Sequence, residues 1–166
     1  MLQPVVRRTW GPRGQTPILY SWDRHDRLST AGAITLAPSR RRLGLYFHIQ
    51  GENIRGESAA EFIVRVQRAV RRPLLVVWDR WNVHRKAARL LFARFGRRIT
   101  FEWLPAYSPD LNPVEGVWDH AKYADLANFI PDDIEHLRKE LAASLRDQRS
   151  TTSLLRSFFD HAGLTL

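Results

Sequence analysis

An uninterrupted apolar run, PLLVVWD at residues 73–79, limits the chain to folds that contain a buried strand. A run of this length without polar alternation is typical of a strand covered on both faces, as in parallel sheets. The amphipathic segment 82–95 predicts a helix, and ITFEWLP at 99–105 predicts a second strand. A strand, a helix and a strand in this order predict a right-handed crossover between parallel strands. The chain is therefore expected to be an α/β protein.

The segments around this unit complete the predicted architecture. Further strands are predicted at 18–22, 27–37 and 42–51, the last two as a hairpin, and further helices at 58–72, 131–148 and 151–164. Hairpin strands followed by alternating helices and strands predict a mixed sheet with helices packed on it. Functional residues in such sheets collect at the carboxyl ends of the strands, and Asp79 stands at such an end.

The stretch SPDLNPVEGVW at residues 108–118 predicts the start of another helix. Asn112 is a favourable N-cap, and Pro113 suits the first helical position because it lacks an N–H group. Glu115 lies three residues after the cap, which is the spacing of a capping box. Two interpretations of Glu115 remain open, because the same side chain could close the helix end or take part in chemistry.

Asp79 also has two interpretations, as an ordinary turn or capping residue and as a metal-binding carboxylate at the sheet edge. One helix, one strand and one proline-rich loop separate it from Glu115, and this path returns the chain to the same end of the sheet. We therefore expect the two carboxylates to lie close together. Asp119 and Lys122 follow on the same predicted helix face, which is either a solvated polar face or the edge of a site. Two-metal phosphodiester chemistry needs such carboxylates, normally at least three of them.

The charge balance favours a polyanionic partner. The 166 residues carry 26 Lys plus Arg against 17 Asp plus Glu, a formal net charge of +9, and all but three of the basic residues are arginines. Guanidinium groups suit phosphate, although an arginine-rich composition can also reflect genome base composition alone. The sequence contains no cysteine, no secretory signal and no apolar segment of membrane-spanning length. A soluble cytoplasmic protein is therefore expected.

Three stretches together resemble the signatures of the DDE transposases, and most closely those of the mariner-like bacterial insertion-sequence group, also described as DDE superfamily endonucleases. The stretches are RTWGPRGQTPIL (8–19), VVWDRWNVH (76–84) and LPAYSPDLNPVEGVWDHAK (104–122). The resemblance implies an RNase H-like fold. It also implies that Asp79 and Glu115 are the second and third catalytic acidic residues. Each would hold Mg²⁺ or Mn²⁺ for strand cleavage by water and strand transfer by a DNA 3′-hydroxyl.

The resemblance assigns further roles. His84 matches the histidine that follows the second catalytic Asp, and Asn112 and Pro113 match the pair that positions the Glu115 helix. The expected DNA contacts are Arg80, Arg85 and Lys122. The expected partner is DNA, bound by a homodimer at the bacterial nucleoid, with neither a small-molecule substrate nor a membrane involved. Residues 1–130 would form the catalytic core, and residues 131–166 would be C-terminal helices packed on it.

Two departures from the family pattern shape these expectations. Arg80 stands where the family often has Asn, which is consistent with a subgroup feature. The family's first Asp precedes the RTW signature, whereas the first acidic residue here is Asp23, so the core is expected to lack its first strand. Asp23 and Asp26 lie in a predicted polar turn and are expected to serve the turn rather than replace the missing ligand. The chain alone is therefore expected to be inactive, and the alternative function is that of a transposase remnant that only binds DNA or a partner.

Overall fold

A computed structural model describes residues 6–15, 18 and 27–166 of the chain. All but Ile18 of the strand predicted at 18–22 lies outside these residues, as do Asp23 and Asp26. Within the described part, no helix has the length and apolar character needed to cross a membrane.

The predicted helices and strands from residue 27 onwards are present, with ends shifted by a few residues. The strands are β1 (Ser29–Leu36), β2 (Leu43–Gln50), β3 (Leu74–Trp78) and β4 (Ile99–Trp103). The helices are α1 (Gly56–Val70), α2 (Asn82–Phe95), α3 (Pro113–His120), α4 (Ile134–Ser150) and α5 (Thr152–His161). A π-helical turn, Ala121–Asp125, directly continues α3.

The described strands pair as two two-stranded sheets. β1 and β2 form an antiparallel hairpin in which Gly32 lies opposite Phe47. β3 and β4 are parallel, as the crossover pattern predicts. The expected burial of β3 on both faces is wrong, because Leu75 is 63% and Val77 is 53% exposed. No strand among the described residues joins the two sheets, so each of the four strands has one edge without a strand partner there. Strand pairing is therefore mixed, while a continuous sheet is not formed within the described part of the chain.

Two hydrophobic cores lie on opposite faces of the hairpin. The C-terminal core joins one face to α3, α4 and α5, and it includes Leu45, Val117, Leu141, Leu145 and Leu155. The α1–α2 core joins α1 and α2 to β3 and β4 and receives Ala31, Ala33 and Tyr46 from the other hairpin face. This division follows from the alternation of side chains along a strand. The helices predicted at 131–148 and 151–164 thus pack on the hairpin, while the domain boundary near residue 130 stays a prediction.

Two glycines allow helix α3 to pack closely against β1 and α5. A Cβ atom added to Gly32 of β1 would lie 2.6 Å from the Trp118 ring of α3. A Cβ atom added to Gly116 of α3 would lie 2.7 Å from Cδ1 and 3.1 Å from Cβ of Phe158 on α5. The separations of 2.6 Å and 2.7 Å are too short for a real side chain. The position of α3 therefore depends on the absence of a side chain at each of these sites.

Candidate active site

Asp79 follows β3 directly, and one of its carboxylate oxygens is already engaged by its own loop. The backbone N–H of Trp81 donates to Asp79 Oδ1 at 2.9 Å, a bond typical of a turn-forming aspartate. His84 Nδ1 lies 2.6 Å from the same oxygen. Asp79 thus performs the turn role considered from the sequence. These two contacts use Oδ1, while half of the Asp79 side-chain surface remains exposed.

The His84 imidazole is held in place by two tryptophans. Its ring stacks on Trp78 with centroids 4.7 Å apart and planes inclined by 7°, and Trp81 meets it edge-on at 5.4 Å. The contact with Asp79 is a hydrogen bond when Nδ1 carries the proton, in the neutral tautomer or in the imidazolium. Ring packing therefore fixes the direction from which His84 approaches Asp79, and with it the orientation of the carboxylate.

Glu115 is placed by the start of α3. Asn112 Oδ1 accepts a hydrogen bond from the Val114 N–H at 3.3 Å, and Pro113 occupies the first turn, so the predicted cap is present. The second half of a capping box would need the Asn112 N–H, which instead donates to the Pro109 carbonyl at 2.8 Å. The capping interpretation of Glu115 is therefore not supported, because the Asn112 N–H that its side chain would accept from is already bonded to the Pro109 carbonyl.

The pKa of Glu115 is affected by two other carboxylates. Burial raises the pKa of Glu115 above its ordinary value, and the negative charges of Asp119 and then Asp79 raise this pKa further. The charge of Asp79 therefore acts on Glu115, as the expected return of the chain to one end of the sheet requires. From the sequence, Asp119 is predicted only to share a helix face with Glu115, because it follows Glu115 by four residues. Its effect on the pKa of Glu115 is visible only in the structure.

The basic residues named from the sequence occupy different surroundings. Arg80 is exposed, and its Nε donates to the Leu104 carbonyl at 3.3 Å, which ties the loop after β3 to the loop after β4. Arg85 is exposed in the first turn of α2. Lys122 lies in the π-helical turn with its ammonium 5.0 Å from the centre of the Tyr123 ring. The prediction that Lys122 shares a helix face with Glu115 requires an α-helix that continues past residue 120. The π-helical turn begins at Ala121, so α-helical spacing no longer applies at Lys122.

The carboxylates match a divalent ion in ligand type but not in ligand number. Oxygen ligands are those that Mg²⁺ and Mn²⁺ prefer, and mutual repulsion among carboxylates is relieved by a bound cation. Among residues 6–15, 18 and 27–166, however, no group of three His, Asp or Glu side chains is arranged to hold a metal ion. The described carboxylates therefore do not form a three-ligand ion site by themselves.

Replacing Glu115 by glutamine is expected to stabilise the folded chain at neutral pH. A carboxyl whose pKa is raised by folding contributes stability below its unfolded pKa, and this contribution is lost as pH rises through the folded pKa. At pH 7 the ionised Glu115 therefore opposes folding. We expect Glu115→Gln to raise the free energy of unfolding by about 0.5 kcal/mol, a value kept small because the side chain reaches solvent.

Urea unfolding at pH 7 and at pH 3 tests this expectation. The difference between Glu115→Gln and the parent chain should close at pH 3, where the glutamate is also uncharged. Glu52→Gln, which changes an exposed glutamate after β2, is the matched control and should leave stability unchanged at both pH values. A Glu115→Gln variant less stable than the parent at pH 7 would contradict the assigned repulsion.

Comparisons with known proteins identify the family and support the fold. The family model described as DDE superfamily endonuclease matches residues 1–138. A chain in the crystal structure of the Mos1 Strand Transfer Complex is similar over 98% of this chain, with a TM-score of 0.57 and 18% sequence identity. The match covers 48% of that chain, so the present chain spans about half its length. No curated protein matches. The structural likeness confirms the predicted fold class, an RNase H-like mixed α/β fold.

Proposed function

Because this chain belongs to the DDE superfamily endonucleases, we propose that it is the catalytic domain of a DNA transposase. The proposed reactions are hydrolytic cleavage of a DNA strand and joining of the released 3′-hydroxyl to a second DNA. The proposed setting is bacterial nucleoid DNA in the cytoplasm, with the domain acting as a homodimer. The single observation that carries the proposal is the family match over residues 1–138, a range that contains both Asp79 and Glu115; the effect of the Asp79 charge on the pKa of Glu115 supports it.

The DDE superfamily generally uses divalent metal ions, which polarise the phosphoryl group and activate the attacking oxygen. In this chain, Asp79 and Glu115 are the proposed ion ligands. The Trp81 N–H and His84 hold Asp79 Oδ1, which leaves Oδ2 for an ion. Asn112 and Pro113 fix the first turn of α3 and so the direction in which Glu115 projects.

The basic residues are proposed to hold the DNA backbone. Arg80 and Arg85 are exposed on the loop and helix that follow Asp79, where guanidinium groups can pair with phosphate. Lys122, in the π-helical turn that follows α3, is proposed to contact another phosphate of the same DNA. The formal net charge of +9 supports DNA binding that does not depend on base sequence.

A second candidate function is binding without cleavage. It is favoured by one observation, the absence of a three-ligand ion site within the described part of the chain. A chain of this kind would bind DNA or a protein partner as a transposase remnant. Both candidates share the DNA contacts, so cleavage is the property that separates them.

Plasmid nicking and DNA binding test the two candidates together. We expect fluorescence anisotropy to show duplex affinity falling at least tenfold between 50 and 200 mM salt, since each neutralised phosphate releases counterions. With two ion ligands in the described residues, we expect the chain alone to show negligible nicking of supercoiled plasmid in Mn²⁺.

Asp79→Ala is the control for nicking, because any contaminating nuclease would survive this change. Robust nicking that disappears in Asp79→Ala would establish the catalytic function for the chain alone and exclude the non-cleaving candidate. Negligible nicking with salt-sensitive binding would favour the second candidate for the isolated chain. Affinity that does not change with salt would contradict both.

A further inference from the structure

We infer that Tyr107 is a stacking platform for an unpaired nucleobase of DNA, placed beside the phosphodiester that Asp79 and Glu115 are proposed to act on. The inference rests on the proposed function, and it adds a base contact that the carboxylates and arginines do not provide. Tyr107 lies in the loop that leads from β4 to α3, the helix that carries Glu115, and β4 is paired in parallel with β3, the strand that Asp79 follows.

Two properties of Tyr107 are unfavourable for folding. Its side chain is fully exposed, at 103% of the reference accessibility, although a phenol ring gains from burial. Its backbone has φ of 59°, in the left-handed region that disfavours bulky side chains. The other described non-glycine residues with positive φ are Arg40, Arg71 and Asn128, so Tyr107 is the one aromatic residue among them. Strain of this kind is concentrated at functional sites and ligand clamps.

The loop around Tyr107 is ordered on both sides. At its start, the Leu104 N–H donates to the Trp78 carbonyl at 2.8 Å, and Arg80 holds the Leu104 carbonyl. At its end, Leu111 N–H donates to the Ser108 carbonyl at 3.3 Å and the Asn112 cap follows. The ring is therefore presented outwards by a defined turn. Because a tyrosine side chain has only two torsions to fix, its ordering by a stacked ligand costs little conformational entropy.

The surroundings indicate a nucleobase as the partner. Trp81, which follows Asp79 by two residues, is a second aromatic residue with 52% exposure, and Arg80 adds a cation beside it. Exposed aromatic rings combined with cations are the means by which proteins hold unpaired nucleotides, because every base has a flat face that can stack. A duplex end or a frayed step near the cut strand would supply such a base.

Phe92 and Trp10, two other exposed aromatic residues in the described part of the chain, lack this combination. Phe92 is 66% exposed on α2, a regular helix, and Trp10 is fully exposed in the segment before β1, where its backbone φ is not positive. Neither lies on the loop that joins β4 to α3. Phe92 is therefore a matched control, since it offers a comparable ring at a different place.

The test compares two DNA duplexes, one blunt and one with a single 2-aminopurine overhang, each carrying a dye at the far end for anisotropy. The full chain is expected to quench the 2-aminopurine fluorescence. Tyr107→Ala is expected to lose this quenching and to bind the overhang duplex roughly 5- to 30-fold more weakly, while binding the blunt duplex within about twofold of the parent. Tyr107→Phe, which keeps the ring, and Phe92→Ala should behave like the parent with both duplexes.

The outcomes separate this inference from the proposed function. A parent chain that binds neither duplex would contradict the proposed function and the inference with it. A parent chain that binds DNA while Tyr107→Ala binds the overhang equally well would overturn the stacking inference alone. Loss of overhang binding in Tyr107→Phe as large as in Tyr107→Ala would also overturn it, because the hydroxyl rather than the ring would then carry the contact.

Discussion

Gly116→Val is expected to lower the free energy of unfolding by about 3 kcal/mol. The new side chain would overlap Phe158 near the root of its ring, and Phe158 is buried in the C-terminal core, so it has little room to withdraw. Glycine itself costs a helix interior roughly 1 kcal/mol relative to alanine, and valine recovers part of that. The overlap is the larger effect, so the net change is destabilising. Urea unfolding measures it.

Two comparison variants show whether the overlap with Phe158 is the cause. Gly51→Ala places a Cβ where no heavy atom lies within 4 Å, and we expect it to change stability by less than about 0.5 kcal/mol. The double variant Gly116→Val/Phe158→Ala removes the obstructing ring and should be more stable than the sum of the single changes predicts. If the stability changes of the two single variants simply add in the double variant, valine does not destabilise the fold through its overlap with Phe158.

Asp79→Asn is expected to reduce the affinity of the chain for a trivalent ion probe at least tenfold. Terbium prefers carboxylate oxygens, and excited tryptophan sensitises its luminescence; Trp78 and Trp81 flank Asp79 in the sequence. Changes to the groups that merely orient a ligand typically cost 10- to 100-fold in affinity, and removal of a ligand charge should cost no less. Titration of terbium with excitation of tryptophan measures the effect directly, without depending on DNA cleavage.

Other variants rank the contributions to the proposed ion site. Glu115→Gln should weaken terbium binding as strongly as Asp79→Asn, whereas His84→Ala should weaken it less, because His84 only orients the carboxylate. Asp147→Asn, an exposed aspartate near the end of α4, is the control. Equal titrations for the parent, Asp79→Asn and Glu115→Gln would show that terbium binds elsewhere.

Much of the fold could be predicted because its signals are local. The run at 73–79 and the amphipathic segment at 82–95 carry their secondary structure in their own residue pattern. The division into two sheets could not be obtained from these patterns, since strand pairing depends on contacts between residues distant in the sequence. The π-helical turn after α3 could not be predicted for a different reason, because Lys122 continues a polar spacing that looks α-helical.

The candidate site divides in the same way. The return of Asp79 and Glu115 to one end of the sheet followed from topology, and the Asn112 cap followed from residue type. The absence of a capping-box bond from the Asn112 N–H to Glu115 could not be predicted, because this N–H donates to the Pro109 carbonyl instead, a contact that depends on the shape of the loop. The stacking of His84 on Trp78 likewise depends on side-chain geometry that residue spacing does not specify.

The position of the hairpin between two cores has a consequence for how the site can be lost. Asp79 ends a strand of the α1–α2 core, whereas Glu115 belongs to a helix of the C-terminal core. Subglobal opening of the C-terminal core would carry Glu115 away from Asp79 while β3 and β4 stay paired. Loss of the carboxylate pair therefore requires only the less stable of the two cores to open, and the lifetime of the assembled site is set by that core rather than by global unfolding.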